Sequence, residues 1–247
     1  MNSLKLALQF LSREWRSGEL VTLTASLILA VASVLTVTLI TDRLNSGMTR
    51  QSAELIGGDF VISSSREPET SWAQDAKSLG IQSTQTYRFD SVIFADDEMQ
   101  LCSIKAVSPG YPLIGKLEIK DNPQSVINKT STIPGPGKAW VDPRLLDFLN
   151  IQIGDEIIFG ATTLIVEKLI VFEPDQAGSL FQFSPRVLVN QQDLAPAQVL
   201  GPGSRIRYKT MFQGINAEKL RLALAANLPL GHRITTPSED ENQASQA

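Results

Sequence analysis

Residues 20–40 read LVTLTASLILAVASVLTVTLI, twenty-one positions without a charge. At about 1.5 Å rise per residue, a helix over that run is roughly 31 Å long, the hydrocarbon thickness of a bilayer. The run is apolar on every helical face and no second stretch of the chain resembles it; that argues against a buried core helix. A secretory signal is the rival reading, with Lys5, Arg13 and Arg16 as its basic region and Ala30-Val31-Ala32 as a cleavage site. Yet the apolar run continues through Val34, Leu35, Val37, Leu39 and Ile40, beyond the roughly 7–15 residues of a signal core. The expectation is a retained transmembrane helix over 20–40, anchoring a chain of otherwise globular composition.

Its flanks suggest an orientation. Three basic residues (Lys5, Arg13, Arg16) precede the run and two (Arg43, Arg50) follow it, so the positive-inside bias favours a cytoplasmic N-terminus by one residue. Residues 1–19 look amphipathic, with Leu4, Leu8, Leu11 and Trp15 near one helical face, as in an interfacial helix leading into a span. The formal net charge is −4, and because residues 1–19 carry +1, the remainder carries −5. A mildly acidic domain without a basic stripe gives no reason to expect nucleic acid as a partner. The one cysteine, Cys102, lies in an alternating stretch and reads as a small buried residue. The lone His232 has no companions for a metal site. Asn128-Lys129-Thr130 matches a glycosylation sequon, a triplet that matters only in a eukaryotic secretory route.

Beyond the span, residues 41–56 continue as a stalk helix ending at Gly57-Gly58. Residues 59–64 alternate as a strand, and 70–79 make a short helix with Trp72, Ala76 and Leu79 inward. Residues 81–94 and 99–107 form a hairpin about the polar turn Asp96-Asp97-Glu98. Far downstream, 204–212 is a strand, 216–227 a helix with Leu220, Ala223, Leu224 and Leu228 on one stripe, and 232–235 a short final strand. The two halves, 57–111 and 203–236, read as a split β-α-β module of ferredoxin-like type. Residues 112–202 are then an inserted, mostly β module. It contains a polar loop at 122–138, a Pro-started helix at 143–149, a hairpin about Gly160-Ala161 and a strand at 186–189. Residues 237–247 are a polar tail or the start of a second stalk. The fold class is α+β.

A resemblance follows from residues spread along the whole chain. They are Arg13-Glu14-Trp15-Arg16-Ser17, then 52–68 (SAELIGGDFVISSSREP), then Lys105-Ala106-Val107 with Tyr111-Pro112. Pro143-Arg144-Leu145-Leu146 leading to Ile153-Gly154-Asp155 comes next, and last Glu173-Pro174-Asp175 with Gly178, Phe181, Pro185 and Arg186. In order and spacing these resemble the N-terminal portion of YbbP-like permeases, within the MacB/FtsX/LolC-type ABC transporter permeases. The resemblance implies a bacterial inner-membrane protein with a periplasmic domain and a cytoplasmic ABC ATPase as its partner. It also implies lipophilic or envelope substrates, moved by mechanical coupling and not drawn through the spans. Such permeases have three further spans after the outer domain, so the chain is expected to be either a fragment or a free-standing relic.

Candidate site residues are few. In the loop 173–185 (EPDQAGSLFQFSP), Leu180, Phe181 and Phe183 could contact a lipophilic substrate or a partner if exposed; the alternative, which isolated apolar loop residues favour, is that they fold back onto the hairpin or core. Arg144 and Asp155 belong to a helix-turn-strand scaffold. Asp96, Asp97 and Glu98 could meet a cation, but carboxylates at a hairpin tip are ordinarily solvated. No GxSxG, HExxH or P-loop pattern occurs, so no catalytic residue, metal or cofactor is expected and ATP would be handled by a partner. A transport component is the first reading. A single-pass envelope module that recruits a periplasmic protein is the second, and an anchored enzyme has no supporting constellation.

Overall fold

The computed structural model describes residues 19–175, 184–201 and 204–237, with side chains at 21–43, 54 and from 56 onward. Two compact units divide at Arg50 and Gln51.

Helix α1 (Glu19–Ile56), 38 residues without a break, makes up the described part of the first unit and ends in the second; the apolar run and the expected stalk are one element. Val21–Arg43 is long and apolar enough to cross a membrane, and none of its side chains is buried within the chain. Leu23, Leu27, Val34 and Val37 are each more than 60% exposed, as a helix with only lipid for a neighbour would be. Four hydroxyls of the run are satisfied within the helix. Ser26 donates to the Leu23 carbonyl, Ser33 to Leu29, Thr36 to Ala32 and Thr38 to Val34, at 2.7–2.8 Å. Hydrocarbon offers no other partner for a polar group, so this local back-bonding is what permits serine and threonine there.

Chain order through the second unit is β1 (Phe60–Ser64), α2 (Thr70–Ser78), β2 (Gln82–Ala95), β3 (Glu98–Val107), β4 (Leu117–Lys120) and β5 (Asn128–Thr130). Then come β6 (Lys138–Val141), α3 (Pro143–Leu149), β7 (Glu156–Phe159), β8 (Thr162–Phe172) and β9 (Arg186–Asn190). A 3-10 turn (Gln191–Asp193), α4 (Leu194–Ala197), β10 (Arg207–Gln213), α5 (Ala217–Ala226) and β11 (His232–Thr235) complete it.

Strands β11-β1-β10-β2 lie side by side, each pair antiparallel. Counting only those four, the spatial order is fourth, first, third, second, which is the ferredoxin-like arrangement. Its helices α2 and α5 cover one face. There Phe60, Ile62 and Phe212 meet Trp72, Ala76, Ala217 and Leu220, with Phe60 stacked on Phe212 at 4.6 Å between ring centres. Trp72 also takes the edge of the His232 ring at 5.1 Å, so the lone histidine is a packing residue here. Ala223, placed on the inward stripe by periodicity, is exposed. The opposite face lies away from α2 and α5, and there the end of α1, Ile56, clusters with Val61 and Met211.

The inserted part is a closed barrel that borrows two strands from the first half. β2 pairs β3, β3 pairs β9, β9 pairs β6, β6 pairs β8, β8 pairs β7, and β7 returns to β2 through Ile93↔Phe159 and Phe94↔Ile158. Alternate residues point inward: Phe89, Ile93 and Ala95 from β2, Cys102, Ile104 and Ala106 from β3, Val187 and Val189 from β9, Ile157 and Phe159 from β7. Alanines and a cysteine set against phenylalanines fill a taper too narrow for large residues throughout. Helix α3 adds Leu145 and Leu149 to the same core. Asp142 caps that helix by accepting from the Arg144 N–H, and Pro143 stands at its first turn, where no N–H is needed. The β2–β3 hairpin turns through Asp96 and Asp97, with Asp96 at φ 48°, the left-handed conformation that two-residue hairpin loops require. Strands β4 and β5, the second of them inside the polar 122–138 stretch, extend from the outer edge of β8.

A second apolar cluster lies outside the barrel. Trp140, Leu188 and Ile170 on the barrel's outer surface meet Leu117, Ile119 and Tyr111, and reach Val61, Met211 and Ile56. Together with the shared strand β2, this cluster joins barrel and ferredoxin-like sheet, and one edge of the candidate site rests on it.

Candidate functional site

The site is built on the face of β10-β2-β3 that lies away from α2 and α5. In an antiparallel ladder, directly opposed residues share a face, and here Arg207 opposes Arg88, which opposes Lys105. Two residues along, Lys209 opposes Thr86 and Ser63. The face therefore carries a row of three cations with a fourth beside it. These side chains, with Ser64, Ser65, Tyr208 and Asp175, line a cleft of about 480 Å³.

One end of the row is sealed into the protein. Lys105 is 5% exposed and its ammonium donates to the Tyr111 hydroxyl at 2.7 Å, to Glu173 at 3.1 Å and to Asp175 at 2.5 Å. The Tyr111 hydroxyl donates in turn to Asp175 at 2.5 Å. All three ammonium hydrogens are thus engaged, the condition under which a buried charge is tolerable. Burial alone pushes the Asp175 carboxyl up, but the charges of Lys105 and Lys209 and the bonds from Lys105 and Tyr111 outweigh it and hold the group below its ordinary range. Burial and the neighbouring carboxylates Asp175 and Glu173 push the Tyr111 phenol well up, so it stays a donor at neutral pH.

The network runs on through Glu173 to Arg186 at 3.3 Å and from Arg186 to Asp142 at 3.4 Å. Asp142 also takes the Arg144 guanidinium on both oxygens at 3.0 Å. Burial opposes ionisation there as well, but the hydrogen bonds from Arg144 and the charge of Arg186 win, and the carboxyl is lowered. Glu173 and Asp175 follow β8 and Arg186 opens β9, so the two stems of the intervening loop are tied to each other and to Lys105 in the sheet.

The candidates named from the sequence divide by position. Leu180, Phe181 and Phe183 lie outside the described residues. Arg144 and Asp155 serve as scaffold: Arg144 pairs with its helix cap, and Asp155 accepts from the Gln152 N–H at 2.8 Å. Asp96, Asp97 and Glu98 are exposed at the hairpin tip, and among the described residues no three His, Cys, Asp or Glu side chains converge as metal ligands. Cys102 is fully buried; burial, then the charge of Asp142, pushes its thiol up to about 12. Sequence reasoning misses the cations Arg88, Arg207 and Lys209. For Arg207 and Lys209 the signal is the alternation of 205–209 (RIRYK), which puts every second residue on one face.

No protein-family model matches the chain. The ABC transporter permease YbbP of Escherichia coli (strain K12) is 35% identical to it over 202 residues, covering 82% of this chain and 24% of that protein. The chain spans about a quarter of the length of the curated relative it matches. Among solved structures, the periplasmic region of MacB from Actinobacillus actinomycetemcomitans is 10% identical with a TM-score of 0.49, covering 79% of this chain and 96% of that one. The extracellular domain of the noncanonic ABC-type transporter YknZ from Gram-positive bacteria is 11% identical with a TM-score of 0.45, over 71% of this chain and 100% of that one.

Proposed function

We propose, from the premise that this chain is a YbbP-like ABC transporter permease sequence, that it is the membrane-anchored component through which a separate cytoplasmic ABC ATPase moves a periplasmic domain. The observation that carries this is the 35% identity over 202 residues. The single candidate span among the described residues, Val21–Arg43, supports an inner-membrane anchor, and the basic excess before it supports a cytoplasmic N-terminus. ATP chemistry belongs to the partner. The chain's part is mechanical, and its cargo is lipophilic or drawn from the envelope, with Leu180, Phe181 and Phe183 as the contact. The paired stems of their loop suit that role, because Glu173 and Asp175 on one side and Arg186 on the other anchor the loop on rigid strands.

Affinity purification of the tagged chain from its native membranes in mild detergent tests this reading. An ABC ATPase enriched alongside the chain, and lost when the span is replaced by a soluble leader, is the expected result. Recovery of a periplasmic protein with no ATPase would overturn it in favour of a single-pass recruiting module.

A further inference from the structure

Three cations opposed in one row across adjacent strands repel one another, and like charges directly opposite destabilise a sheet. Lys105 is compensated by Glu173, Asp175 and Tyr111. Arg88 and Arg207 are not: neither guanidinium has a hydrogen bond or ion pair among the described residues. Asp175, the one acid lining the cleft, is already held by Lys105 and Tyr111. Thr86 lines the same cleft at 3% exposure, and its hydroxyl has no hydrogen-bond partner among the described residues. The hydroxyls of Ser63 and Ser65, on the neighbouring strand and just past its end, are likewise uncommitted there.

We propose that this cleft binds a ligand bearing a phosphate group, held between the Arg88 and Arg207 guanidiniums with Lys209 contributing charge and Thr86, Ser63 and Ser65 donating hydroxyl hydrogens. A guanidinium presents its N–H groups as a planar fork that matches paired phosphate oxygens. Hydroxyls approaching from β1 and β2 supply donors in other directions, as a tetrahedral oxyanion requires and a flat carboxylate does not. About 480 Å³ is more than a bare anion needs and leaves room for an organic substituent. The ligand removes the repulsion between the two arginines, so the bound sheet is the relaxed one. Binding there does not require the chain to be part of a transporter.

The test uses the full chain purified in a maltoside detergent at low ionic strength and titrated calorimetrically with two probes. Glycerol 3-phosphate represents soluble phosphate esters and dihexanoyl phosphatidylglycerol a lipid headgroup; sodium acetate at equal ionic strength is the carboxylate control. Saturable binding of either phosphate probe, weakened at least tenfold by R88Q or R207Q and abolished in the double variant, supports the site. Preference between the probes then says which source the ligand comes from. The ligand-free double variant should melt at the same temperature as the parent chain or higher, because a repulsion has been removed. Binding of neither probe, equal binding of acetate, full binding by the double variant, or a lowered melting temperature of that variant would each overturn the proposal.

Discussion

Lys105 commits all of its donors inside the fold, and its charge does most, with help from Lys209 and Tyr111, to keep its neighbour Asp175 ionised. Removing one partner of a buried ion pair leaves the other uncompensated, at a cost of about 3–5 kcal/mol. Asp175→Asn should destabilise the second unit toward the lower end, about 3 kcal/mol, since Glu173 remains beside Lys105. The sign of the pH dependence is set by the lowered carboxyl. Its stabilising contribution is fully present above the ordinary aspartate value of about 4 and is lost as pH falls through the depressed one. Chemical denaturation followed by tryptophan fluorescence should show the gap between parent and Asp175→Asn undiminished from pH 7 to 5 and closing only in stronger acid. A gap that closed already near pH 6 would contradict this assignment. The family resemblance rests on Lys105, Tyr111, Glu173, Asp175 and Arg186 as scattered motif residues. That these meet is not legible in the sequence, because Lys105 and Asp175 are seventy positions apart and the long-range pairings β3–β9, β9–β6 and β6–β8 bring them together.

At the scale of elements, local pattern reveals what is built locally and conceals what depends on long-range pairing. The β2–β3 hairpin, α3 with its proline start, and the β7–β8 hairpin all carry their signals within a dozen residues. Barrel closure rests instead on β7 meeting β2 at Ile93↔Phe159, and no local pattern states which of several strands will be the partner. Strand β5 has the composition of loop and becomes a strand by lying against β4, which in turn lies against the edge of β8. The β7–β8 turn shows how tightly the closed barrel is fitted. Gly160 sits at φ +58°, and a Cβ there would lie 2.1 Å from the Ala197 carbonyl oxygen and 2.6 Å from Val199. Gly160→Ala should therefore lower stability by about 1–3 kcal/mol, whereas the same change at Gly201, with open space around it, should cost little. Equal melting temperatures for the two variants would show that the turn is not in contact with the segment after α4.

For the whole molecule, one uninterrupted helix and a sheet-and-barrel unit accompany a sequence related to a permease over four-fifths of its length. The proposed function places that unit across the membrane from the ATPase that drives it, and everything mechanical in the proposal depends on that placement. Glu98 is exposed at the hairpin tip of the barrel, while the native thiol of Cys102 is sealed and held at about 12, so Glu98→Cys introduces the sole thiol that reacts readily in the folded protein. The measurement to make is labelling of Glu98→Cys by a membrane-impermeant maleimide, in cells with a permeabilised outer membrane and an intact inner one. The expected result is full labelling before lysis, with the parent chain unlabelled in both conditions. Labelling of Glu98→Cys only after the inner membrane is broken would put the folded unit in the cytoplasm and contradict the permease mechanism.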